Sequence, residues 1–119
     1  MSLAVDVWTV GDDGESHVLD VPPGVSDLAG FESCRTGLWG SPAVRSLGAV
    51  FLPRLAHGDL WVANEDVAAF AAECDLVRAH SAALAEATPY DDDYIRARLT
   101  NILAAASRAT RLGGGVVVW

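Results

Sequence analysis

The second half of the sequence carries two stripes of apolar residues, which constrain the fold more than any other feature. One stripe comprises Val67, Phe70, Cys74, Val77, Ser81 and Leu84, and the other comprises Ile95, Leu99, Ile102, Ala106 and Ala109. Side chains at spacings of three and four share one face of an α-helix. Each stripe therefore predicts a helix that buries one side against the rest of the molecule.

The joint between these two helices is short. Residues 88–91 are predicted to end the first helix and start the second, with Thr88 as the N-cap and Pro89 as the first helical residue. Asn64 is the predicted N-cap of the earlier helix, which would run for five to six turns in one piece. Two helices with matching apolar faces and such a short joint predict a long αα-hairpin.

Both ends of the chain have the pattern of β-strands. Residues 3–10 and 15–21 alternate in character, and the turn residues Gly11-Asp12-Asp13-Gly14 lie between them, which predicts a β-hairpin. The apolar run Val116–Trp119 predicts a further strand beside the N-terminal one. We therefore expect a single α+β domain over residues 1–119. Its small antiparallel or mixed sheet would contain the N-terminal hairpin and the C-terminal strand, and would pack against the αα-hairpin.

The middle third of the chain is less regular. Ser41 followed by Pro42 predicts the start of a short helix, and Gly48 is suited to end it. The segment Leu60-Trp61-Val62 predicts a short strand.

The charge distribution favours some partners and disfavours others. The chain has 16 acidic and 8 basic residues, a net charge of −8, and every basic residue is arginine. Arg35 is the first basic residue of the sequence. The acidic residues that precede it are Asp6, Asp12, Asp13, Glu15, Asp20, Asp27 and Glu32. Such a negative field repels nucleic-acid phosphates and attracts a basic protein.

Composition also bears on the compartment. No apolar stretch approaches the roughly 20 residues of a membrane span, and the first residues lack the pattern of a signal peptide. Cys34 and Cys74 lie outside any metal-binding spacing, so we expect two buried thiols, with one disulfide as the alternative. These features predict a bacterial, cytoplasmic protein with no membrane partner.

Candidate catalytic and metal-binding residues have simpler interpretations. His17, His57 and His80 occur in no metal-binding motif, and residues 91–93 suit the acidic start of a helix. Residues 11–15 resemble a calcium loop in composition, but they connect strands and not helices. We predict no catalytic residue, no metal and no cofactor. A Cys34 or Cys74 thiol brought close to a histidine by folding stays the open alternative.

Four tryptophans are the candidate contact residues, since tryptophan is common at binding hot spots and in small cores. Trp39, in a glycine-rich segment, is predicted to be exposed, whereas core or helix-covering positions are favoured for Trp8, Trp61 and Trp119. The predicted partner-binding residues are Asp12, Asp13, Glu15 and Trp39.

Several segments resemble an uncharacterised family of small acidic proteins from high-GC bacteria. They are Phe51-Leu52-Pro53-Arg54-Leu55, Gly58-Asp59-Leu60-Trp61-Val62, Arg98-Leu99-Thr100-Asn101-Ile102-Leu103 and Gly113-Gly114-Gly115-Val116-Val117-Val118-Trp119. No activity follows from that resemblance. In size, acidity and α+β character the chain is also similar to the immunity proteins of bacterial toxin systems.

These observations favour a non-enzymatic protein-interaction domain. It would be an immunity-type antagonist of a basic partner, such as a toxin nuclease domain. The alternative is a small ligand-binding or enzyme domain with a pocket between helices and sheet. A third possibility is a homodimer joined through an edge strand at Val116–Trp119.

Overall fold

The computed structural model describes residues 1–119 and contains a five-stranded antiparallel sheet. The strands are β1 (Ser2–Val10), β2 (Ser16–Val18), β3 (Leu28–Phe31), β4 (Leu60–Val62) and β5 (Gly115–Val118). Their order is β2-β1-β5-β4, and β3 pairs with the first residues of β1. The predicted hairpin, the short strand at residues 60–62 and the C-terminal strand beside β1 are all confirmed.

The helices cover one face of the sheet. They are α1 (Pro42–Arg45), α2 (Val67–Ala79), α3 (Ser81–Ala87) and α4 (Asp92–Leu112). The long helix α4 packs against α2, α3 and the strands β1, β3 and β5, and both predicted apolar stripes are buried. The predicted α+β class, with a small sheet packed against an αα-hairpin, is confirmed. None of these helices combines the length and the apolar character that a bilayer-spanning helix needs.

The first arm of the αα-hairpin is interrupted, which corrects the prediction of one continuous helix. At His80 the main-chain N–H bonds to the Val77 carbonyl, three residues back, and α3 begins at the next residue. The His80 ring Nδ1–H donates to the Leu76 carbonyl at 2.9 Å, which holds the tightened turn. Ser81 and Leu84 stay buried beyond the break, so the apolar stripe survives it.

Two predicted helix caps are wrong. Thr88 ends α3 by donating its hydroxyl to the Leu84 carbonyl at 2.7 Å, and the N-cap of α4 is Asp91. Asn64 lies inside a 3₁₀ turn and donates its side-chain amide to the Gly114 carbonyl at 2.9 Å. The Thr88 bond is a local one to the preceding helical turn, whereas the Asn64 bond joins residues 50 positions apart, which no local pattern in the sequence brings together.

The C-terminal strand lies in the middle of the sheet. β5 pairs with β1 through Val116–Val118 on one side and with β4 on the other. A strand with neighbours on both sides offers no free edge. One predicted alternative was a homodimer joined through an edge strand at Val116–Trp119. This choice of strand is wrong, because β5 is an inner strand and the neighbouring edge strand is β4.

A buried carboxylate holds the irregular middle third in place. Glu73 of α2 is only 9% exposed, and its carboxylate accepts the main-chain N–H groups of Val50, Phe51 and Leu52. The bonds to Val50 and Leu52 are 2.6 and 2.8 Å long. These donors lead into the 3₁₀ turn Leu52–Ala56, whose first N–H groups have no partner within the turn. Glu73 thus joins this turn to α2.

Cys34 and Cys74 are free and buried, which confirms the predicted pair of buried thiols. Burial raises the pKa of the Cys74 thiol, and the neighbouring charges of Glu73 and Asp75 add to this. The protonated thiol is the form that fits the folded state. The buried, protonated Cys74 thiol therefore contributes to the free energy of unfolding below the pKa of an unfolded thiol, about 8.5. This contribution is lost as the pH rises above that value.

We expect both thiols to be inert in the folded protein, because the thiolate is the reactive form and neither sulfur reaches solvent. With a thiol-specific chromogenic disulfide at pH 8, the native protein should release no colour, whereas the urea-unfolded chain should titrate two thiols. Rapid titration of one equivalent without urea would contradict the burial of that cysteine.

Candidate functional site

The outer face of the sheet, the one opposite the helices, carries the main exposed aromatic surface. Side chains alternate along a strand, and Val5, Val7, Val116 and Val118 all point to the helices. The intervening positions therefore form the outer face, whose members are Asp6, Trp8 and Val10 of β1, Val18 of β2, Trp61 of β4, Val117 of β5, and Trp119 just beyond it.

Three tryptophans on this face form one cluster. Trp61 lies in the middle, with its ring centroid 5.9 Å from that of Trp8 and 5.4 Å from that of Trp119. The rings are tilted by 60° and 78°, close to the edge-to-face arrangement that aromatic quadrupoles prefer. Beneath them Val117 is completely buried although it lies on the outer face. We call Trp8, Trp61 and Trp119 the tryptophan cluster.

Hydrogen bonds hold two of the indoles in place. Trp8 Nε1–H donates to the Val116 carbonyl at 3.1 Å, and Trp119 Nε1–H donates to an Asp6 carboxylate oxygen at 2.9 Å. Each bond uses the only polar group of its indole. The ring faces that remain are therefore positioned before any partner arrives, which lowers the entropic cost of binding.

Gly115 makes room for this arrangement. A Cβ at that position would lie 2.5 Å from the Cε2 and Cζ2 atoms of Trp8, closer than real carbon contacts allow. The absence of a side chain lets the Trp8 indole cross β5 and reach Trp61 on the next strand. Gly115, the first residue of β5, therefore has a packing role, whereas Gly113 is the residue that ends α4.

The outer face is apolar and open. Trp61 is 46% exposed and Trp119 38% exposed, and Val10 and Val18 at the hairpin end are also exposed. Isolated exposed apolar residues are ordinary, but contiguous ones mark interaction surfaces. The sequence signal for this face was present in the alternation, since each clustered tryptophan stands next to a valine that faces the helices: Val7, Val62 or Val118. The prediction of core or helix-covering positions for Trp8, Trp61 and Trp119 is wrong.

Negative charge lies on this face and at its hairpin end. The hairpin turn beyond Val10 presents the exposed residues Asp12, Asp13 and Glu15, and Asp6 lies on the face itself. The Glu15 N–H and the His17 ring hydrogen-bond to the Asp13 carboxylate and lower its pKa, so this carboxyl stays ionised at mildly acidic pH. None of the strands β1, β2, β4 and β5 contains an arginine or a lysine.

The structure places the predicted contact residues in two different environments. Asp12, Asp13 and Glu15 are exposed together at the hairpin turn. Trp39 is completely buried, and its Nε1–H donates to the Ala29 carbonyl at 3.0 Å, so its predicted exposure is wrong. The glycines around it permit close packing instead of a loose loop: Gly30 has φ = 117°, and a Cβ there would lie 3.0 Å from the Cys34 sulfur.

The remaining candidate residues are dispersed. His17 is at the hairpin, His57 follows the 3₁₀ turn, and His80 is at the helix break. The Cys34 sulfur lies 3.8 Å from the Tyr94 hydroxyl, and neither cysteine has a histidine as hydrogen-bond partner. No three histidine, cysteine, aspartate or glutamate side chains come together as metal ligands would.

Two of the cavities are small. They measure about 50 and 100 Å³, well below the roughly 300–1,000 Å³ typical of small-molecule pockets.

Comparisons with protein-family models, with curated proteins and with solved structures find no match to this chain.

Proposed function

We propose that this protein is a non-enzymatic interaction domain that binds a basic protein through the outer face of its sheet and the adjoining hairpin turn. The observation that carries the proposal is the tryptophan cluster. Its indoles come from β1, β4 and the residue after β5, two of the three are held by hydrogen bonds, and all lie on the face opposite the helices. A domain that needed tryptophan only for its own core would place the rings between sheet and helices.

The chemistry of this face favours cationic side chains. Arginine and lysine bind over the face of tryptophan, with about 0.5–2 kcal/mol per contact depending on how well the pair is shielded from water. The Asp6 carboxylate on this surface, and those of Asp12, Asp13 and Glu15 at its hairpin end, would pair with further cations of the partner. At a net charge of −8 the whole molecule also attracts a basic partner over longer distances.

The biological role that fits this surface is that of an immunity-type antagonist. Such a protein has to cover a basic functional surface, for example that of a toxin nuclease domain, and needs no catalytic group of its own. A bacterial cytoplasm is the compartment we propose, because two unpaired cysteines suit a reducing environment.

The test is retention of a basic protein from a lysate of the source organism, at low and then at high salt, with this protein as bait. The hairpin variant Asp12→Asn/Asp13→Asn/Glu15→Gln removes three charges at the proposed surface. The control variant Glu65→Gln/Asp66→Asn/Glu86→Gln removes three exposed charges on the helical side. We expect the wild type and the control to retain the same basic protein at low salt and release it at high salt.

The hairpin variant should retain far less of that protein and lose most of the salt dependence. The variant Trp61→Ala should weaken the purified complex about 30-fold, as expected for a hot-spot side chain of about 2 kcal/mol. Equal retention by the hairpin and control variants, or equal affinity of Trp61→Ala and the wild type, would overturn this assignment of the surface.

A further inference from the structure

A second surface feature lies beside the edge strand β4, which the 3₁₀ turn contacts. It is a shallow depression of about 560 Å³ between α1 and the 3₁₀ turn. The residues that line it are Arg45, Ala49, Val50, Pro53, Arg54 and His57. We call it the basic depression, because half of its lining residues carry or can carry positive charge and none is acidic.

The arginines of the basic depression have no acidic partner. The ion pairs of the molecule involve Arg35, Arg78 and His17, so no carboxylate lies within 4.0 Å of Arg45 or Arg54. Six of the eight arginines have no acidic partner, and among them Arg45 and Arg54 are the two that line the same depression. Unpaired guanidinium groups keep their hydrogen-bond donors free for an external anion.

The walls of the depression are rigid. Glu73 fixes the main chain at Val50, as described above, and the Ser41 hydroxyl caps α1 by accepting the Val44 N–H. The Arg54 guanidinium lies 4.8 Å above the Phe51 ring, which covers one of its faces. The edge of the Arg54 guanidinium is the part left available, and the edge carries the donors.

The basic depression is separated from the acidic hairpin. The 3₁₀ turn leads directly into Leu60, which pairs with Val118, and Val118 pairs with Val5 of β1. The hairpin turn begins after Val10, about 17 Å further along that strand. This distance is about twice the Debye length at physiological ionic strength, so salt screens the hairpin charges from the depression.

We propose that the basic depression binds a phosphate monoester. Arg45, Arg54 and His57 would donate to the three terminal phosphate oxygens, and the organic part of the ligand would lie on Val50 and Pro53. Three donor groups, the two guanidinium groups and the His57 imidazole, match a phosphate, which has three terminal oxygens, better than a carboxylate, which has two. This site is independent of the proposed partner-binding face, because the two share no residue.

The test is a titration of the full-length, ¹⁵N-labelled protein with phenyl phosphate, followed by amide chemical shifts. We expect saturable shifts confined to the amides of residues 45–57. The variant Arg45→Gln/Arg54→Gln should bind at least about tenfold more weakly, the loss expected for a charge-assisted hydrogen bond. The matched variant Arg96→Gln/Arg111→Gln, which removes two exposed arginines of α4, should bind as the wild type does.

Two further probes define the ligand. Inorganic phosphate should shift the same amides with lower affinity because it lacks the apolar part, and benzoate should bind more weakly than phenyl phosphate. The absence of saturable shifts with phenyl phosphate, or equal weakening in both arginine variants, would overturn the proposal. The dispersion of the same spectra shows that each variant is folded. The hairpin variant should bind phenyl phosphate normally, so failure of the partner-binding proposal leaves this result unchanged.

Discussion

Truncation of the chain after Gly115 is expected to abolish folding. The segment removed contains Val116, Val117 and Val118, and none of these side chains is exposed. Burial of a valine contributes at least about 1.5 kcal/mol, and the removal also leaves cavities against the helices. Loss of the strand unpairs β1 and β4 as well. Together these losses approach the whole stability of an ordinary domain, about 5–15 kcal/mol.

Circular dichroism and urea unfolding test this expectation. The truncated chain should lack a cooperative transition, whereas Trp119→Ala in the full-length chain should keep one. That substitution retains the main-chain bonds between residue 119 and Ala4, and it removes only a partly exposed ring. A truncated chain with native-like dichroism and cooperative unfolding would show that β5 is not the central strand.

The substitution Glu73→Ala is expected to lower the free energy of unfolding by about 3–5 kcal/mol. It removes the acceptor of three main-chain N–H groups, at Val50, Phe51 and Leu52, and alanine cannot replace any of these bonds. A buried donor without a partner costs about 1–3 kcal/mol, and water can reach only part of this site. Alanine is the best helix former, so α2 itself does not lose stability through the change.

The matched control is Glu86→Ala in α3, where the glutamate is exposed and has no hydrogen-bond partner in the fold. Its unfolding free energy should stay within about 0.5 kcal/mol of the wild type. The urea unfolding midpoints of both variants test whether Glu73→Ala loses more stability than Glu86→Ala. Equal midpoints for Glu73→Ala and Glu86→Ala would mean that the 3₁₀ turn holds its shape without the carboxylate. A smaller loss for Glu73→Gln than for Glu73→Ala is also expected, since the amide oxygen still accepts.

The candidate surface was only partly predictable. The acidic hairpin turn follows from Gly11–Gly14 and the alternating residues on either side, and it is exposed as a turn of that composition should be. The tryptophan cluster was not predicted, because its members are up to 111 positions apart, at Trp8 and Trp119. Their proximity depends on the strand order, which no local pattern specifies.

The burial of Glu73 could not be predicted from the sequence either. By sequence it lies next to Cys74 on a helix that is otherwise well predicted, and a glutamate there reads as a surface residue. Its burial depends on a loop 21 to 23 positions earlier that presents unpaired N–H groups to it. Only folding brings donor and acceptor together, and the carboxylate is stable there because each oxygen is satisfied.

The sequence by itself determined the helices' buried faces, the hairpin, the α+β class and the free thiols. These depend on periodicity, turn chemistry and burial tendencies that act between near neighbours in the chain. The tertiary structure decided the central position of β5, the burial of Trp39, the break at His80 and the open tryptophan cluster. Those features result from packing between segments that are distant in sequence, where the partner of a side chain is set by the whole fold.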